Sequence, residues 1–164
     1  MVLGKTLQDA INEQVKNELY SGYMYLAMAA YCEANNFPGA AKWMRMQAGE
    51  EQEHAMRLYD YVFDRGGRVT LQAIAQPPAE FKGLLDIFEQ AYAHEQKVTG
   101  MINSLYAAAA KENDYATMSM LKWFIDEQVE EERNASQVVE MLKLAGTHIP
   151  AVMMLDGRLG ARAE

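Results

Sequence analysis

Apolar residues recur at spacings of three and four along four long stretches of the chain, and each stretch predicts an amphipathic helix that buries one face. The first stripe runs Leu7, Ile11, Val15, Glu18, Gly22, Tyr25, Ala29, Cys32, and the second Met44, Gln47, Glu51, His54, Leu58, Tyr61. The third runs Leu84, Phe88, Ala91, Glu95, Val98, Ile102, Leu105, and the fourth Leu121, Phe124, Gln128, Glu131, Ala135, Val138, Leu142. In all four, polar or metal-binding side chains interrupt the apolar run near its middle.

Helix breakers are few and clustered: Asn35-Asn36-Phe37-Pro38-Gly39, Gly66-Gly67 with Pro77-Pro78, Asn113-Asp114, and Gly146 with Pro150. They predict helices over about 5–34, 40–65, 82–112 and 115–145, with a short fifth one within about 148–160. Helices of this length, about 40 to 45 Å each, make an all-α four-helix bundle. The fifteen residues 67–81 reach about 50 Å when extended, enough to span the second helix, so a long crossover between helices 2 and 3 is preferred. One domain over 1–164 is expected, with the bundle at about 5–145.

The two short turns allow the heights of the polar interruptions to be compared. In an antiparallel hairpin, residues at one height have numbers that average to the turn centre. Glu18 averages with His54 to 36 and with Glu51 to 34.5, beside a turn centred near Phe37. Glu95 averages with Gln128 to 111.5 and with Glu131 to 113, beside a turn centred near Asn113. The partners therefore face each other within about one helical turn. Across the hairpins either orientation matches, because the cluster is central.

Several carboxylates gathered inside a bundle repel one another and lose hydration, and a multivalent cation removes both penalties. Carboxylate oxygens with one imidazole suit iron(II) or manganese(II), and zinc also binds such sets; nothing resembles a thiolate site. Glu51-x-x-His54 puts two ligands on one helical face, and Glu51 can bridge two ions. Glu18, Glu51, His54 and Glu95 form the candidate set. His94 and His148 fit no such set. Tyr25, two turns from Glu18 on the same face, is a core aromatic able to donate a hydrogen bond or an electron beside the metals.

The balance of 23 acidic against 15 basic residues, a net charge of −8, argues against nucleic acid or an anionic membrane as partner and suits a protein that attracts cations. The single cysteine, Cys32, cannot close an internal disulfide, and residues 1–14 lack the apolar core of a signal peptide, which leads to the expectation of a cytoplasmic protein. No transmembrane segment is expected. Twelve methionines read as adaptable packing.

The chain resembles the prokaryotic non-haem ferritins. The likeness rests on Asn12-Glu13-Gln14 with Glu18-Leu19-Tyr20-Ser21, Glu50-Glu51 with His54, His94-Glu95-Gln96, and Glu127-Gln128 followed by Glu130-Glu131-Glu132. It implies that Glu18, Glu51 and His54 hold a first iron, and that Glu51, Glu95 and either Gln128 or Glu131 hold a second. Glu50, Glu127, Glu130 and Glu131 correspond to a third, inner iron site, and Trp123 and Tyr25 to the aromatics beside the centre. It further implies a ferroxidase that oxidises iron(II) with dioxygen and stores iron(III) oxide inside a hollow homo-oligomeric shell of 24 subunits, with an electron donor serving iron release.

Departures from related families narrow the expectation. A symmetric di-iron centre would repeat Glu-x-x-His on the fourth helix, where this chain has Gln128-x-x-Glu131. The second site should then bind iron more weakly, as befits a substrate that moves on. Gln52 stands where bacterioferritins carry the haem methionine, so no haem is expected. The rivals are a di-iron oxidase or peroxidase that keeps its metals, a scaffold whose acidic cluster is structural, and a DNA-protecting miniferritin. Gln128 disfavours the first, the four coincident polar seams the second, and the lack of a basic tail the third.

Overall fold

The computed structural model describes residues 2–163, and among these it holds five helices and no strand. They are α1 (Lys5–Ala34), α2 (Pro38–Asp64), α3 (Leu84–Lys111), α4 (Tyr115–Ala145) and α5 (Ile149–Gly160). The fold is the four-helix bundle that the periodicity predicts. Helix α2 starts two residues before the expected point, because Pro38 sits in its first turn, where a missing N–H is harmless.

The two tight turns are built alike. Asn36 and Asn113 adopt left-handed backbone, with φ of 63° and 53°, which asparagine tolerates better than most residues. After Asn113, the Asp114 carboxylate accepts from the Thr117 N–H at 3.0 Å and caps α4. Asp114 also takes two Arg65 N–H bonds, each 2.9 Å, tying the end of α2 to the start of α4.

The crossover settles the topology. At its start Gln8 and Asn12 of α1 grip the backbone: Arg68 N donates to Gln8 Oε1 at 2.8 Å, and Asn12 Nδ2 donates to the Arg68 carbonyl at 3.0 Å. At its end Phe81 packs edge-on against Tyr31, near the other end of α1, with ring centroids 5.4 Å apart. The segment therefore runs along α1, and α2 and α3 start at the same end of the bundle. The cross-hairpin pairs are antiparallel: Tyr25 meets Glu95 between α1 and α3, while Gln47 meets Glu131 and Tyr61 meets Thr117 between α2 and α4.

The apolar interior is split in two. One cluster, with Tyr25, Met28, Met44, Ile87 and Phe88, fills the end nearest α5. The other, with Leu7, Ile11, Leu58, Ile102 and Phe124, fills the opposite end. Each fully buried side chain of this size contributes about 1.5–3 kcal/mol. Between the clusters lies a polar layer, and it is the layer of the stripe interruptions. Cys32 is buried on the α5 side, where loss of hydration pushes its thiol up to about 12 and leaves it unreactive.

Helix α5 docks through a cap supplied from a distance. Phe37 offers α2 no side-chain cap; instead the Asp156 carboxylate of α5 accepts from Gly39 N at 3.1 Å and Ala40 N at 2.8 Å. The backbones touch here: a Cβ on Gly39 would lie 1.7 Å from the Asp156 carbonyl oxygen. Gly39→Ala is therefore expected to undock α5 and cost about 3 kcal/mol. Calorimetry should show the melting temperature lowered by roughly 6–12 °C, and an unshifted melt would contradict this packing.

Candidate metal centre

The polar layer contains every member of the candidate set. Glu18, Glu51 and Glu95 are each 1 % exposed, Gln128 and Glu131 3 %, and His54 4 %. Solvated helix faces are thereby excluded for all six. Each projects inward because it occupies a stripe position, one helical turn or two from buried apolar neighbours.

Donor atoms of Glu18, Glu51 and His54 lie within 4.8 Å of one another, as do those of His54, Glu127 and Glu131. Two potential cation sites thus share one imidazole. The His54 Nδ1 is 3.5 Å from Glu51 Oε2, and its Nε2 is 3.8 Å from Glu127 Oε1. Glu18 accepts from Gln14 Nε2 at 2.8 Å through Oε1 alone. Its Oε2 is fully buried and has no hydrogen-bond partner. An orphaned carboxylate oxygen in an interior costs several kcal/mol unless something positive meets it.

Glu95 is held at both oxygens. The Tyr25 hydroxyl donates to Oε1, and the Gln128 amide nitrogen donates to Oε2 at 3.2 Å. The same nitrogen reaches the Glu95 carbonyl at 3.2 Å and Thr99 Oγ1 at 3.3 Å. Gln128 therefore turns its N–H groups, not its oxygen, toward Glu95. Glu131 Oε2 accepts from the Gln47 amide nitrogen at 2.8 Å.

The electrostatics follow from four buried carboxylates with no lysine or arginine buried beside them among the described residues. Burial, then the charges of Glu95 and Glu18, drives the Glu51 carboxyl well above the usual range. Burial pushes Glu131 up to about 8, helped by Glu95, and Glu95 up to about 7 against the lowering bonds from Tyr25 and Gln128. Tyr25 is likewise driven up by burial and by Glu95. Every shift resolved in the layer resists negative charge, which a bound cation would reverse.

The outer acidic residues are arranged less uniformly. Glu127 is partly buried, its carboxyl raised by burial, beside His54. Glu50 is half exposed and engaged by Arg162. Glu130 is exposed and lies 3.5 Å from Arg133. Trp123 packs edge-on against His54, ring centroids 5.3 Å apart, and the Arg57 guanidinium sits 4.0 Å over the Trp123 ring. His94 sits outside the layer, hydrogen-bonded to Ser21 at 2.7 Å, and His148 caps α5.

Residues 8–145 match the ferritin-like domain family. The bacterial non-heme ferritin of Staphylococcus saprophyticus is 41 % identical over 162 residues, 99 % of this chain and 97 % of that protein. That of Staphylococcus aureus strain USA300 is 37 % identical over 161 residues, covering 98 % and 97 %. The chain belongs to the ferritin family. Among solved structures, an open pore ferritin of the archaeon Archaeoglobus fulgidus superposes with a TM-score of 0.97 at 42 % identity, covering 98 % of this ferritin and 99 % of that chain. An engineered closed form of the Archaeoglobus protein gives the same TM-score and identity. Membership in this family supports iron storage as the function.

The sequence places Gln14 in a family motif and Gln47 on the α2 stripe but assigns neither a role in this ferritin's site, and it gives no signal for Arg162. Gln14 precedes Glu18 by one turn, a spacing that could have marked it as that carboxylate's hydrogen-bond partner, whereas Gln47 reaches across to Glu131 on α4, which spacing along α2 does not show. Arg162 lies beyond the last helix, and no periodicity points to it.

Proposed function

We propose that this ferritin is a ferroxidase: it binds iron(II) in the polar layer, oxidises it with dioxygen, and passes iron(III) to a stored oxide mineral. The single observation that carries the reading is the fully buried, unpartnered Glu18 Oε2 at the head of a layer of four carboxylates. An interior built this way is tolerable when metal fills it.

Glu18, Glu51 and His54 would hold a first ion. Glu51, Glu95 and Glu131 would hold a second, with Glu51 bridging, and Gln128 acts as a donor that fixes Glu95. Gln14 pins one Glu18 oxygen so that the other faces the ion. Tyr25 holds Glu95 and lies within reach as an electron or proton donor. Each iron(II) gives one electron to dioxygen, and the carboxylates favour the more highly charged product. Glu50, Glu127, Glu130 and Glu131 would receive iron on its way to the mineral.

The whole chain, 1–164, acts as one ferritin-like domain in a homo-oligomeric shell of 24 subunits in the cytoplasm, with an external reductant for iron release. No helix among the described residues is long and apolar enough to cross a membrane. Aerobic iron(II) added to the purified protein should give soluble, protein-associated iron(III), with electron microscopy showing shells around dense cores. Monomers or dimers on size exclusion, with iron precipitating outside the protein, would refute the reading.

Gln128 distinguishes storage from a resident cofactor. Its neutral amide lowers the charge of the second site, so iron there should leave readily. Gln128→Glu adds a fourth acidic group next to Glu95 and is expected to tighten that site about tenfold and to leave oxidised iron bound after turnover. Spectroscopic titration with iron(II) in the absence of oxygen checks the affinity. Unchanged affinity would show that Gln128 does not set it.

A further inference from the structure

We propose that Arg162 is a positioning residue for the outer end of the metal centre: its guanidinium occupies Glu50 and, through Gln47, orients Glu131, so that a cation arriving there must displace it. The inference rests on the proposed metal role of the carboxylate layer.

The geometry is specific. Arg162 Nη2 donates to both Glu50 oxygens, at 2.7 and 2.8 Å, while Nη1 donates to Gln47 Oε1 at 2.5 Å. Gln47 is fully buried, and its amide nitrogen donates onward to Glu131 Oε2 at 2.8 Å. Chemistry at both ends dictates that amide's orientation: a guanidinium only donates and a carboxylate only accepts, so the oxygen must face Arg162 and the nitrogen Glu131. The guanidinium also sits 5.0 Å over the Trp43 ring, which holds its plane.

The rest of the fold fixes where Arg162 stands. It follows α5, which Asp156 anchors to the start of α2 and which Lys42 Nζ holds through the Gly160 carbonyl at 3.0 Å. The residues that follow α5 thus deliver a charge to one place. Arginine suits the task because one planar fork serves Glu50 and Gln47 together, which a lysine ammonium does less well. Held this way, Glu50 has both oxygens taken, and a cation binding there gains its carboxylate only by expelling a like charge. The consequence is a weak, rapidly vacated outer site that lets iron pass.

Zinc(II) titration calorimetry on the assembled, metal-free protein tests this. Arg162→Ala is expected to tighten the weakest zinc step about tenfold, the scale of one unit charge acting over a few ångströms of partly solvated surface. Arg162→Lys, which keeps the charge, should stay within about threefold of the parent. In a Glu50→Gln background, removing Arg162 should shift that step by less than about threefold, since only the arm through Gln47 remains. A chain ending at Ala161 should reproduce the gain, and it stands in if Arg162→Ala does not fold. A merely structural role would lower the melting temperature and leave the zinc steps unchanged, and that result overturns the proposal. The full tenfold gain persisting in the Glu50→Gln background also overturns it. Glu51→Ala with His54→Ala should abolish the tightest step; its survival would overturn the reading of the centre and this inference with it.

Discussion

Alanine at both Glu51 and His54 is expected to slow aerobic iron(II) oxidation by at least about a hundredfold while helix content and assembly are retained. The surroundings of Glu51 connect it to both halves of the layer: Glu18 and His54 on one side, Glu95 and Glu131 on the other. Removing it takes a ligand from each ion at once. His54 belongs to the first ion's donor group and also to the one formed with Glu127 and Glu131, so its loss breaks both groups. Neither substitution empties the apolar clusters that hold the bundle together, and deleting a repelling carboxylate relieves strain in the metal-free protein. Stopped-flow measurement of the ferric absorbance gives the rate. An unchanged rate in a well-folded double variant would show that oxidation happens elsewhere.

The metal-free protein should lose stability as pH rises from about 5 to 8, the reverse of the usual acid denaturation. The sign follows from linkage. A carboxyl whose folded pKa lies above its unfolded value binds its proton more tightly when folded, so folding is favoured at low pH. The contribution of these groups then falls as pH rises from the ordinary 4.5 toward the folded values of about 7 for Glu95 and about 8 for Glu131, and Glu51, raised in the same direction, adds to the fall. Shifts of this size in two buried groups amount to several kcal/mol per subunit. Bound cation cancels the effect, because it prefers the ionised carboxylates. Zinc(II) or oxygen-free iron(II) should therefore raise the melting temperature strongly at pH 8 and little at pH 5. Calorimetry at both pH values, with and without metal, checks this; a metal-free melt that rises with pH would contradict it.

The heights and faces of Glu18, Glu51, His54 and Glu95 were legible in the sequence because helical period and short turns are local properties. A period of 3.6 fixes the face, and a three-residue turn fixes the register across each hairpin. Orientation across hairpins was not legible, since a central cluster matches in either sense. Only the grip of Gln8 and Asn12 on residues 68–70, and of Tyr31 on Phe81, decides it. Gln128 and Glu131 were indistinguishable as ligands by spacing, because both face inward. What separates them is which end of the Gln128 amide faces Glu95, and that depends on partners in α3. Arg162 was invisible for a related reason: its place comes from the docking of α5 through Asp156, a contact 116 residues from Ala40 in sequence.

The most direct test of the centre is a crystal of the metal-free protein soaked in ferrous salt without oxygen, with anomalous diffraction recorded at the iron edge. Two peaks are expected between the helices, one ringed by Glu18, Glu51 and His54 and the other by Glu51, Glu95 and Glu131, with Glu18 Oε2 turned onto the first. Side chains splayed apart with no iron among them, in crystals that bind iron at their surface, would contradict the account.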